Sequence, residues 1–311
     1  MISSLTQNIE RVFIGKREVI RFCLTALLAG EHILLEDVPG VGKTLLAHAL
    51  ARSIDGSFHR IQFTPDLLPA DITGSSIFHG KMADFREGNP FTFLPGPIFA
   101  NIVLADEINR ATPRTQSAML EAMGEKQVTS DGQTRALPQP FMVIATENPM
   151  EFEGTFPLPE SQLDRFQMRI SVGYPDRDSE RQILASRQKN DPLETLQPVI
   201  TLSQLLDLQE KARQVILEES LQSYILDLAR KTRESEICLA GISTRGVLAL
   251  SRAAKAYALT WERDYVIPDD IKTLAVPVLS HRLITKNHFR ADRRAYSEAF
   301  IQEILNEVPV P

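Results

Sequence analysis

Three runs follow one another without a gap in residues 32–52: the apolar, strand-length "HILLE", the glycine turn "DVPGVGKT" and the helix-patterned "LLAHALAR". No other stretch constrains the fold as strongly. A strand that turns on glycines straight into a helix aims its backbone N–H groups, and the helix's positive end, at a single point. That geometry cradles phosphate oxygens. The pattern G-x-x-x-x-G-K-[ST] asks for glycine at position 37, where this chain has Asp37. Aspartate is among the residues that best tolerate left-handed dihedrals after glycine, so a modestly strained but working loop is expected. Pro39, Gly40, Val41, Gly42, Lys43, Thr44 and Leu45 are then the residues that wrap ATP. Lys43 reaches the β- and γ-phosphates, and the Thr44 hydroxyl serves as a Mg²⁺ ligand.

The pattern around the loop predicts an α/β fold. Strands are expected at His32–Asp37, His59–Phe63, Asn101–Glu107 and Phe141–Asn148, with helices over 44–53 and 109–124. Apolar strands alternating with helices imply a parallel sheet buried on both faces. Two interruptions read as insertions at the sheet's edge. Residues 74–97 are rich in Gly, Pro and Phe, and 127–137 carry the hairpin signal Asp131-Gly132. Beyond the turn-rich joint at 171–180, helical spacing dominates 202–213, 217–232, 244–262 and 269–279, with Ser243 as an N-cap. The expected organisation is a nucleotide-binding domain over 1–177 and a smaller all-α lid over 178–311.

Two further strands end in chemistry. "IVLADE" places Asp106 and Glu107 at the carboxyl edge of the sheet, where open α/β sheets bind ligands. Asp106 is the second Mg²⁺-holding residue and Glu107 the general base for the attacking water. An isolated Asp-Glu pair is more often a solvated strand end; the phosphate loop upstream gives this one its meaning. "VIATENP" ends in Asn148, whose amide could orient that water, although Asn before Pro is also a common turn former.

Composition narrows the class. With 34 Lys and Arg against 40 Asp and Glu, the net charge of −6 makes overall electrostatic binding to nucleic acid a poor prospect. The first residues lack the apolar core of a signal peptide, and no apolar run reaches the ~20 residues that span a bilayer. Two distant cysteines, Cys23 and Cys238, point to a reducing compartment, and a cytoplasmic location is expected.

The loop, the DE strand and the Asn-ended strand combine with "LPESQLDRF" (158–166), "GISTRG" (241–246) and above all "LPGPIFANIVLADEINRA" (94–111). Together they resemble the MoxR family of AAA+ ATPases, its helix-2-insert branch, over nearly the whole chain. The family carries Gly or Asp at the position of Asp37. The resemblance implies that Arg165 is an arginine finger reaching a neighbouring subunit's γ-phosphate. It also implies that Arg245 is the sensor arginine of the lid, and that Ile14 and Gly15 border the adenine. Thr244 and Gly246 depart from the family's usual Ser-Pro-Arg-Ala. The two insertions match those near the pore of a ring, expected to be a hexamer. A protein client, often one receiving a metal or cofactor, and a partner with a von Willebrand factor A domain are implied as well. Two rivals stay open: a nucleic-acid-stimulated motor, and a nucleotide-binding scaffold with vestigial catalysis.

Overall fold

Helices α1 (Ile2–Glu10) and α2 (Arg17–Ala29) lead into strand β1 (Ile33–Glu36), the phosphate loop and helix α3 (Lys43–Ser53). Strand β2 (Phe58–Gln62) and the short α4 (Pro69–Thr73) precede a hairpin of β3 (Gly74–Phe78) and β4 (Phe91–Pro95). Then come β5 (Ile102–Asp106), α5 (Pro113–Glu125), a second hairpin of β6 (Gln127–Ser130) and β7 (Gln133–Ala136), β8 (Met142–Glu147), α6 (Glu160–Leu163) and β9 (Met168–Ile170). This computed structural model describes residues 1–78, 91–149, 154–186, 192–286 and 293–311. The middle of the first expected insertion, 79–90, lies outside the described residues.

Five strands form one parallel sheet in the order β2-β5-β8-β1-β9. The phosphate-loop strand β1 therefore lies inside the sheet, between β8 and β9, the two strands that come last in sequence. Side chains alternate between the two faces, as a pleated strand requires. Ile33 and Leu35 enter a core shared with α1, α2 and α3, while Leu34, Val103 and Val143 enter a second core against α5. Both faces are covered, which is why these strands read as continuous apolar runs rather than alternating ones.

The chain continues through α7 (Arg177–Ser186), α8 (Leu202–Gln214), α9 (Glu219–Glu234), β10 (Cys238–Ala240), α10 (Thr244–Thr260), α11 (Pro268–Leu279), β11 (Ile284–Thr285) and α12 (Arg293–Glu307). This is the helical lid, with one small antiparallel pair, β10 with β11, at its margin. Ser243 caps α10 by accepting the Gly246 N–H. The lid's apolar residues belong to the same core as α1–α3. Polar ties fix it further: Gln209 Nε2 donates to the Leu27 carbonyl at 2.7 Å and Gln167 Nε2 to the Ala249 carbonyl at 2.7 Å.

The second hairpin turns on Asp131 and Gly132, at φ 53° and 73°, the paired positive values of a two-residue hairpin turn. The two hairpins touch. Ser76 Oγ donates to Asp131 Oδ2 at 2.5 Å, and the Arg135 guanidinium lies 3.8 Å from the centre of the Phe93 ring.

Candidate nucleotide site

Residues from the loop, the sheet edge and the start of the lid enclose a cavity of about 750 Å³. Its floor is the phosphate loop. Gly40 and Gly42 sit at φ 86° and 90°, and Gly42 is the N-cap of α3. A Cβ on Gly42 would press against the Phe13 ring at 3.1 Å, so glycine is needed there for space as well as for dihedral freedom. Lys43 Nζ donates to the Asp37 carbonyl at 2.6 Å. Burial pushes this amine below its ordinary value, while Asp37, Asp106 and Glu107 pull it back towards the charged form.

Asp37 corrects the expectation placed on it. It is not among the residues with positive φ, so no left-handed turn is forced on it. Its carboxylate instead accepts the Val38 N–H at 2.8 Å and the Gly173 N–H at 2.5 Å. An aspartate in place of glycine thus ties the phosphate loop to the joint that leads into the lid. The strained residue is Glu107, at φ 57°, where the chain leaves β5 for a 3₁₀ turn at Ile108–Arg110.

Pro39, Gly40, Val41, Gly42, Lys43, Thr44, Leu45, Asp106, Glu107, Asn148 and Ile14 all line this cavity. Gly15 does not; at φ 80° it makes room for the Ser179 side chain at the start of α7. Asn148 is buried. The carboxylates are held in a network. Thr146 Oγ1 donates to Asp106 Oδ1 at 2.6 Å and accepts the Glu107 N–H at 2.9 Å. Gln62 Nε2 donates to Glu107 Oε2 at 2.8 Å, and Arg110 lies 3.3 Å from the same oxygen. A hydroxyl, Thr44, and a carboxylate, Asp106, share the cavity with the loop, and no self-sufficient metal cluster of His, Cys, Asp and Glu occurs among the described residues. That donor set fits a Mg²⁺ ion shared with ligand phosphates, which takes few protein oxygens.

Sequence reasoning missed one wall. Val12, Phe13, Tyr174, Pro175, Ile183 and Leu184 also line the cavity, a slot bounded by the first turn of the chain and by α7. The exposure of Tyr174 (71%) and Leu184 (72%) leaves apolar surface available there. Only the turn-rich composition at 171–180 hinted that this joint lay near a ligand.

Arg165 and Arg245 stand elsewhere. Both line a smaller cleft of about 160 Å³ with Lys126, Asp164, Arg252 and Arg282. Arg165 donates to the Leu120 carbonyl at 2.8 Å, and Arg245 lies 3.5 Å from Asp164. Buried Arg282 holds the other oxygen of Asp164 at 2.8 Å. Gly246, one of the two departures in the lid motif, has a packing reason. A Cβ there would come within 2.8 Å of Ile242 and 3.2 Å of the Arg282 side chain.

The model of the ATPase family associated with various cellular activities (AAA) matches residues 32–168, and the AAA lid domain matches 230–304. The chaperone MoxR1 of Mycobacterium tuberculosis is 40% identical over 98% of this chain and 81% of its own length. The chain belongs to the MoxR family of AAA+ ATPases. It is also 49% identical to the uncharacterized protein YeaC of Bacillus subtilis, over 100% of this chain and 95% of that one. A solved structure from Cytophaga hutchinsonii superposes with a TM-score of 0.88 at 40% identity, covering 100% of this chain and 94% of its own. No helix among the described residues is long and apolar enough to cross a membrane.

Beneath this MoxR loop, Glu147 pairs in register with Glu36 on adjacent parallel strands. Burial first, and Glu36 second, push the Glu147 carboxyl up to about 7 from 4.5, against the opposing pull of Arg169. Above pH 4.5 the unfolded chain releases this proton while the folded chain keeps it. The contribution to stability is therefore full below the unfolded value and is lost as pH rises through 7. Glu147→Gln should accordingly melt a few degrees above wild type at pH 8, with the gain shrinking by pH 5. Calorimetric scans at both values check this; an equal shift at the two would contradict it.

Proposed function

We propose that this chain is a ring-forming, chaperone-like ATPase that hydrolyses ATP at interfaces between subunits. The observation that carries the reading is a separation within one chain. Loop, base and metal-facing groups share one cavity, whereas Arg165 and Arg245 line another cleft. Two incomplete halves on distinct surfaces fit a head-to-tail contact, the kind that closes into rings, here taken as a hexamer.

In this reading the loop amides and Lys43 bind the phosphates, and the apolar slot beside Ile14 takes the adenine. Glu107 receives the proton of the attacking water, which Asn148 orients. Magnesium, held by Thr44 and Asp106, would neutralise charge on the β- and γ-phosphate oxygens. Arg165 and Arg245 of an adjoining subunit stabilise the charge that develops on the transferred phosphoryl group.

The cellular task follows as part of the proposal: maturation of a protein client, with a partner bearing a von Willebrand factor A domain, in the cytoplasm. A relative named as a chaperone supports that direction. Nucleic acid is left out. The 127–137 hairpin has Arg135 as its cation, and Arg135 is engaged with Phe93, Ser130 and Gln133.

Phosphate release per subunit should rise steeply with protein concentration, in step with the assembled fraction seen by sedimentation. A dilute monomer working at the full rate would overturn the interface reading.

A further inference from the structure

Asp106 already has a cation beside it. Arg60 on β2 places Nε and Nη2 at 3.0 and 2.6 Å from one oxygen, Oδ2. The other oxygen, Oδ1, takes the Thr146 hydroxyl at 2.6 Å. Both oxygens of the carboxylate that would face magnesium are therefore occupied by donors from this chain. The guanidinium is fixed from a third side, since Nη2 also donates to Gln62 Oε1 at 2.7 Å.

The two partners differ in their freedom to move. The Asp106 side chain is 11% exposed and lines the nucleotide cavity, whereas Arg60 is 49% exposed and is not among the lining residues. The half-solvated guanidinium regains hydration when it swings into water, so its own side of the exchange costs little. Leaving the buried carboxylate without a cation costs much more. A metal ion and the guanidinium cannot both stay close to Oδ2 without strong repulsion.

We propose that Arg60 is a tethered cation that competes with divalent metal for Asp106, holding the carboxylate until a metal–nucleotide complex takes its place. This rests on the ATPase reading above. It makes Arg60 a positioning residue that sets how tightly metal binds, without contact to the nucleotide.

The test uses Mn²⁺ as the probe, with bound and free ion separated by electron paramagnetic resonance in the presence of ADP. Arg60→Met removes the competitor and keeps the bulk. Its Mn²⁺ dissociation constant should fall about tenfold below wild type. Arg60→Lys keeps the charge and should stay within roughly threefold of wild type. In EDTA, a fluorescent ADP should bind Arg60→Met as it binds wild type.

Unchanged or weaker Mn²⁺ binding by Arg60→Met overturns the proposal. Loss of metal-free ADP binding in that variant also overturns it, by making Arg60 a prop for the strand. An equal gain in Arg60→Lys does the same, since loosening of β2 and not loss of the competing charge would then explain the effect. Wild-type protein that binds no ADP at all would instead strike the ATPase reading itself.

Discussion

Glu107→Gln should bind ATP as wild type does and release phosphate about a thousandfold more slowly, within the range that a positioned general base supplies. The expectation of intact binding comes from where the phosphate-holding groups lie. Gly40, Gly42, Lys43 and Thr44 belong to the loop and α3, whereas Glu107 stands at the end of β5. The amide preserves shape and one oxygen, so Gln62 keeps its acceptor. What disappears is the group able to take a proton. Trapped, unhydrolysed nucleotide recovered after gel filtration, together with the rate of phosphate release, measures both halves. Phosphate release within threefold of wild type would remove Glu107 from the role of base. If wild type were as inert as the variant while still binding ATP, the chain would be a nucleotide-dependent scaffold. The same trap would hold client and partner for capture.

Most of the sheet was legible because its signals are local. A strand buried on both faces must be apolar throughout, and β1, β5 and β8 announce themselves that way. The loop was legible because phosphate binding demands glycine at Gly40 and Gly42 and a fixed place for Lys43. Strand order was not. β9 is only the three residues Met168–Ile170, too short for a period to show, yet it forms an edge of the sheet beside β1. At Asp37 a gap in a glycine pattern suggests strain, whereas its carboxylate reaches Gly173, far along the chain. Such a long-range tie leaves no trace in local spacing. In sequence Arg60 and Gln62 read as part of an ordinary strand, and two polar residues at i and i+2 on one face are the only hint of more. The base-side slot joins Phe13 to Leu184, and only the folded chain brings them together.

The placement of Arg165 yields the second large effect. Arg165→Ala should bind ATP normally and lose about a hundredfold or more of its turnover, since cations supplied to phosphoryl transfer carry large rate factors. Binding should survive because Arg165 contacts the Leu120 carbonyl and the smaller cleft, outside the loop cavity of its own chain. Loss of a residue so placed could also reflect damage to α5. Mixing the inert variants separates the two explanations. Arg165→Ala retains Glu107, and Glu107→Gln retains Arg165. In a randomly mixed head-to-tail ring, roughly a quarter of the interfaces pair an intact base with an intact arginine. A 1:1 mixture should therefore regain turnover that neither parent has, reaching at most about that fraction of wild type. Recovery of this kind cannot come from repair of α5, because no chain in the mixture has both groups. If mixed assemblies form and stay as inert as their parents, Arg165 does not act across a subunit boundary. If Arg165→Ala alone hydrolyses at the wild-type rate, it is not a catalytic group at all.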